Sequence, residues 1–169
     1  MTGENKNLLR AAEILERVTP FSGRNCGSLC GAVCCKGGDN DGMELFPGEC
    51  ELLAGEKGFK VVESQGENPR RILVCDGGCD RRKRPLACRF FPLFPLAVEH
   101  DGEIKIIPVP DPRAAVCPLI SHSREISKRF YRSVRLAGKY LIRDKECRDY
   151  LLNLSSEIQE IADLASKMV

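Results

Sequence analysis

With 169 residues the chain fits one domain and is long enough to bury a core without covalent staples, so ten cysteines exceed what stability requires. A net charge of +2 gives no global attraction to nucleic acid or to an acidic partner. Met1 to Lys6 is polar, without a basic patch leading into an apolar run, and no uninterrupted apolar stretch could span a bilayer, so the expectation is a cytoplasmic protein with no membrane partner. Thiols stay reduced in that compartment, and a cysteine-rich chain there reads first as metal-binding or redox-active and only second as a disulfide-stapled interaction protein.

Leu8, Ala11, Ala12, Leu15 and Val18 recur at three- and four-residue spacing and predict an amphipathic helix that Thr19-Pro20 ends. From Cys26 to Asp41 the residues are Cys, Gly and small side chains, too poor in large apolar groups to form a core of their own. Pro47 to Ala54 reads as a short helix with acidic Glu49 and Glu51 near its positive end, closed by Gly55 and Gly58. Phe59 to Glu63 and Arg71 to Cys75 read as short strands, and Leu96 to Glu99 with Glu103 to Val109 as a hairpin turned at Asp101-Gly102. Phe90 to Pro95 is expected in the core. Ile126, Phe130, Val134, Ala137 and Leu141 mark one face of a long helix. Leu151, Leu154, Ile158, Ile161 and Leu164 continue the period, with Ser156 and Gln159 placed like a capping box for a last helix. The fold expected is α+β and mainly helical. It is a single domain, 1–169, in which an irregular cysteine-rich core, 26–119, with short strands and a hairpin, packs against N-terminal and C-terminal helices.

The candidate ligands are Cys26, Cys30, Cys34 and Cys35 in one cluster, then Cys75, Cys79 and Cys88, then Cys117. Every close pair is Cys-x3-Cys or adjacent, which removes the Cys-x2-Cys redox motif and the usual zinc knuckle. A Cys-x3-Cys pair puts two thiols one helical turn apart on one face, where a single metal or cluster can take both. Neighbouring side chains usually diverge, so Cys34 and Cys35 are expected to face two different metals, or to divide into one ligand and one bystander. Eight thiolates suit two four-cysteine zinc sites. They equally suit a [4Fe–4S] cluster plus a second centre, and the spacing leaves zinc and iron both open. Cys50 and Cys147 lie within expected helices and read as small buried hydrophobes. His122 follows Cys117 by five residues, and His100 adjoins the hairpin turn; both read as surface residues rather than ligands.

The stretches Cys26-Gly-Ser-Leu-Cys30-Gly-Ala-Val-Cys34-Cys35, Leu45-Phe-Pro-Gly-Glu49, Arg84-Pro-Leu-Ala-Cys88-Arg-Phe-Phe-Pro92 and Cys117-Pro-Leu resemble, in that order, the CxxCxxCC or YkgJ-like family of zinc- or iron-chelating cysteine-cluster proteins. The resemblance covers about residues 26 to 119. It implies a metal site built by the same eight cysteines and leaves out Cys50 and Cys147. Three residues separate Cys30 from Cys34 where the family name has two. Some longer relatives resemble lysine N-methylases acting on flagellin, which implies an iron–sulfur enzyme as the alternative activity. Against that alternative, this chain is short, has no Gly-x-Gly-x-x-Gly loop and lacks the Cys-x3-Cys-x2-Cys of a radical S-adenosylmethionine cluster.

Arg70 to Arg89 holds seven basic and two acidic residues. Thiolate-bound metal carries excess negative charge, so Arg84 and Arg89, flanking Cys88, are expected to neutralise it and donate hydrogen bonds to sulfur. Arg81 to Lys83 are read equally well as a solvated loop. A second basic surface follows from Lys128, Arg132, Arg135 and Lys139 at i, i+4, i+7 and i+11. With no interleaved aromatics and no binding motif, the sequence by itself favours a solvated helix face over a nucleic-acid site.

Overall fold

A computed structural model describes residues 6–21, 26–36, 42–65, 69–77, 80–120 and 125–167. Among them are six α-helices: α1 (Lys6–Glu16), α2 (Gly27–Cys30), α3 (Glu49–Leu53), α4 (Leu86–Phe90), α5 (Lys128–Leu141) and α6 (Lys145–Lys167). Five strands accompany them: β1 (Met43–Glu44), β2 (Phe59–Glu63), β3 (Arg71–Cys75), β4 (Leu93–His100) and β5 (Glu103–Pro110). The fold is therefore α+β and mainly helical, as expected. His122 and the proposed ligand Cys79 lie outside the described residues.

The apolar stripe of α1 buries Leu8, Ala11 and Leu15 against α5, whose opposite stripe buries Phe130, Val134, Ala137 and Leu141. The two helices run antiparallel. The Arg10 guanidinium lies 6.0 Å from the Tyr140 ring near one end, and Ser127 N–H donates to Pro20 O at 2.8 Å near the other. Ser127 also caps α5, its hydroxyl accepting from Phe130 N–H at 3.2 Å. The β4–β5 hairpin lies across α5 and α6, turned by Asp101 and Gly102, both at positive φ, in the geometry that matches strand twist. Its closest approach to α5 is at Gly138, where a methyl group would stand 2.7 Å from Ile106 Cγ2 and 3.1 Å from Pro95 Cβ. Only glycine lets the helix sit that low. A second sheet, in the order β1-β3-β2 and antiparallel throughout, ends at the Cys75–Phe59 pair.

The strands at 59–63 and 71–75 have the bounds read from the sequence. Three elements differ. The hairpin begins at Leu93 rather than Leu96, because Leu93, Phe94 and Pro95 are themselves buried and paired with residues 108–110. Glu49 opens α3 after Gly48, which takes a left-handed conformation, so Pro47 stays outside the helix. The last helix has no start at Ser156. It is continuous from Lys145, with Asp144 accepting from Cys147 N–H at 2.9 Å, and Cys147 and Leu151 extend its buried stripe by almost two turns.

Ser155 is the one polar side chain of α6 that is buried, at 1 % exposure, and it joins α6 to the hairpin. Its hydroxyl accepts from Ala97 N–H at 2.9 Å and donates to Leu151 O at 2.7 Å. Ser155→Ala leaves the strand N–H buried without a partner and is expected to lower unfolding free energy by about 1–3 kcal/mol. Urea unfolding with an unchanged m-value measures this, and an unchanged midpoint would show that water or a backbone shift replaces the hydroxyl.

Candidate metal centre

The cysteine-bearing segment 26–36 is held by very little packing. The single turn of α2 and the 3-10 turn Val33–Cys35 bury no residue between them. They are joined through Gly31 (φ 63) and Ala32 (φ 54), two successive left-handed residues that fold the chain back on itself. Ala32 pays the steric cost that Gly31 avoids. Cys26 precedes α2 and Cys30 ends it, and the Cys30 thiol donates to Cys26 O at 3.6 Å. The one-turn separation expected for Cys-x3-Cys is present in this pair.

Five thiols share one electrostatic neighbourhood. Burial, then the neighbouring Cys30, push the Cys26 thiol up, while Arg81 and Arg84 pull it down. The Cys34 thiol is pushed up to about 12 by desolvation and by Cys35, Cys26 and Cys30, although the residue as a whole is exposed. Burial raises the Cys117 thiol as well, with Cys26 and Cys30 adding to it. After burial, Cys35 is the neighbour that does most to raise the Cys34 thiol, so the two lie near one another rather than diverging. In a 3-10 turn successive side chains stand about 120° apart instead of on opposite faces, which explains that departure.

The remaining candidates are distributed around this group. Cys75 ends β3, and the turn after it packs on the cluster: a methyl group on Gly77 would lie 3.3 Å from Cys35 O. Half-buried Cys88 is the middle residue of α4, and Cys117, 9 % exposed, belongs to the main core. The nine described cysteines are thiols. Among the described residues, no three His, Cys, Asp or Glu side chains are arranged to hold a metal ion. The donor set, all sulfur with guanidinium groups beside it, suits a thiophilic ion. The described side chains do not form a closed coordination shell.

No family model, curated protein or solved structure matches the chain. Its site is therefore argued from its own residues.

The arginines divide in a way their sequence positions do not show. Arg89, expected beside the thiolates, donates from Nε to Arg84 O at 2.8 Å, from Nη1 to Ala12 O at 2.9 Å and from Nη2 to Arg82 O at 2.7 Å. Its charge ties α4 to α1 and to the 81–84 loop. Arg81 caps the end of α1, donating to Glu16 O at 2.9 Å, to Leu15 O at 3.3 Å and to Val18 O. Arg84 lies in electrostatic range of Cys26. Arg82 and Lys83 pair with Asp80 and Glu56 at the surface. Outside the cluster, Cys147 is buried as expected and donates to Pro47 O at 3.7 Å, whereas Cys50 on α3, expected to be a buried hydrophobe, is half-buried beside Arg71, and His100 pairs with Asp101 at 2.7 Å.

Two further features escaped the sequence reading. A cavity of about 270 Å³ lies between β1, α4 and α6, walled by Phe46, Phe90 and Phe94, with Glu44, Arg113 and Tyr150 among its polar groups. Tyr150 donates to Glu44 Oε2 at 3.0 Å, and Arg113 holds Asp111 at 2.8 Å. The second feature is Glu49, 5 % exposed, whose carboxylate accepts from Phe46 N–H at 3.0 Å and from Leu86 N–H, so that it joins α3 to the start of α4 and thereby places Cys88.

Burial raises Glu49 from 4.5 to about 7, against the two backbone N–H groups and Arg89, which favour its charged form. The folded state thus holds this proton more tightly than the unfolded chain. Its contribution is complete below pH about 4.5 and is lost as pH rises through about 7. The stability difference between wild type and Glu49→Gln is expected to shift against wild type by roughly 3 kcal/mol across that window. Chemical unfolding at a series of pH values measures it, and a difference independent of pH contradicts the assignment.

Proposed function

We propose that the protein binds zinc or iron through cysteine thiolates, and that the Cys26–Cys35 segment with Cys117 forms the nucleus of the site. The observation supporting this reading is the gathering of Cys26, Cys30, Cys34, Cys35 and Cys117 into one neighbourhood with Arg81 and Arg84 alongside, in a segment that packing does not explain. The order of motifs that resembles the cysteine-cluster family supports it from the sequence side and brings in Cys75, Cys79 and Cys88.

Of these residues, Cys26 and Cys30 flank the single turn of α2 and so suit one ion, and Cys117 anchors the site to the core. Cys34 and Cys35 extend it on the solvent side. When bound, the metal supplies ligation energy that orders the segment, which is how small cysteine-rich regions without a core are commonly stabilised. Arg84 offsets the negative charge of the thiolates, and Arg81 does so from the end of α1. The reading assigns no reaction.

Elemental analysis of anaerobically purified protein is expected to find about one or two zinc ions, or iron in cluster stoichiometry, per chain. Cys26→Ser/Cys30→Ser is expected to lose at least half of that metal, whereas Cys50→Ser and Cys147→Ala keep it. Chelation is expected to make the 26–36 segment susceptible to proteolysis while the α1–α5 core stays folded. Metal-free protein with the same protease resistance sinks the proposal, as does a double serine variant with undiminished metal.

A further inference from the structure

From Ile126 to Arg143 the chain carries six basic residues and no acidic one. In the fold this segment is α5 with its flanks, and Lys128, Arg132, Arg135 and Lys139 line up within about 60° of one another on the side facing away from the buried stripe. All four are exposed, and among the described residues none of them has an ion pair or a hydrogen-bonded side-chain partner. Several guanidinium groups elsewhere are engaged instead: Arg70 with Glu44 and Glu157, Arg71 with Glu51, Arg113 with Asp111, and Arg81 and Arg89 with main-chain carbonyls. The neighbouring helix offers no compensation. On α1, Glu13 is held by Arg10 at 2.8 Å, and Glu16 lies in range of Arg82. A surface face normally mixes both signs of charge; this one keeps a single sign at some cost in self-repulsion.

We propose that this face of α5 binds the phosphate backbone of a nucleic acid without reading its sequence. Four cations spaced four, three and four residues apart cover about 16 Å of helix, a length over which a duplex presents roughly ten phosphate charges. Few other polyanions match that charge density. Two of the four are arginines, whose planar fork matches phosphate oxygens. A lipid surface is the poorer fit, since an interfacial helix needs a free apolar face, and that of α5 is already buried in the core, leaving Leu136 as its large exposed apolar side chain. The interface is independent of the metal proposal, because α5 carries no cysteine.

The test is fluorescence anisotropy of a labelled 20-base-pair duplex and a single strand of the same length, titrated with the full chain at 50 to 200 mM salt. Four phosphate contacts predict a log–log salt slope between about −3 and −4 on the duplex and a loss of affinity of roughly 100-fold across that range. Arg132→Glu/Arg135→Glu is expected to flatten the slope by about two and to weaken binding at 50 mM at least ~10-fold, while Arg132→Lys/Arg135→Lys keeps most of both. Circular dichroism on each variant checks that the helix is retained, as expected for exposed positions with good helix formers. Absence of binding to either nucleic acid at 50 mM salt overturns the proposal. So does equal binding by the charge-reversed variant, or tighter binding to polyglutamate or to anionic vesicles than to nucleic acid.

Discussion

A helix that ends or begins inside a core must find partners for its open main-chain groups, and here three charged side chains supply them. Arg81 takes the carbonyls at the end of α1, Arg89 joins α1 to α4 and to the loop between, and Glu49 takes the N–H groups of Phe46 and Leu86. These contacts attach the irregular middle of the chain to the two-helix scaffold of α1 and α5. Removing one partner would expose donors or acceptors with nowhere to go, which makes each of the three worth more than an exposed ion pair. The thiol-bearing elements take their positions from them: α4 carries Cys88, and the loop after Asp80 brings Arg84 to Cys26.

The segment from Cys26 to Lys36 contrasts with that clamp. It buries no side chain in either of its turns and spends two left-handed residues, one of them alanine, on reversing direction. Four thiols in eleven residues are a poor solution to folding by burial. They are a good one where an ion brings the binding energy. Raised thiols at Cys26, Cys34 and Cys117 follow from burial and mutual repulsion, so in the absence of an ion these three are held as neutral SH groups. A bound cation reverses that logic, because it stabilises the thiolates that the protein alone disfavours.

Much of the scaffold was legible from local pattern. The short apolar runs at 59–63 and 71–75, the Asp101-Gly102 turn and the stripes of α1 and α5 each have a signature within a dozen residues. Two-residue β1 has none, since Met43 and Glu44 are a strand only by virtue of pairing with Leu73 and Ile72. The start of α6 was misplaced because Ser156 and Gln159 imitate a cap, whereas the true cap, Asp144, sits close behind α5 in a connection too short to read as a loop. At the site, the grouping of Cys26 with Cys30 was visible in spacing. Cys117 was a candidate from the cysteine pattern, but nothing in its spacing ties it to Cys26 and Cys30, and the roles of Glu49 and Arg89 were not visible at all. Their partners are main-chain atoms up to 77 positions away, and a backbone N–H or carbonyl leaves no mark in a sequence.

The same limit applies to the arginines, and there it changes the functional argument. In the sequence, Arg81 to Arg89 and Lys128 to Lys139 are two comparable basic stretches, and the first looks the better candidate for an electrostatic role because it adjoins cysteines. Folding reverses that ranking. Arg81 and Arg89 are held by carbonyls and Arg82 and Lys83 by carboxylates, with Arg81 and Arg84 both in electrostatic range of Cys26, whereas the four cations of the α5 stripe have no ion pair among the described residues. A net charge of +2 conceals this, since none of the 24 acidic residues falls between Ile126 and Arg143. What a charged surface can attract depends on the charges left over after folding, and in this chain α5 keeps four of them aligned on one face of a helix that carries no cysteine.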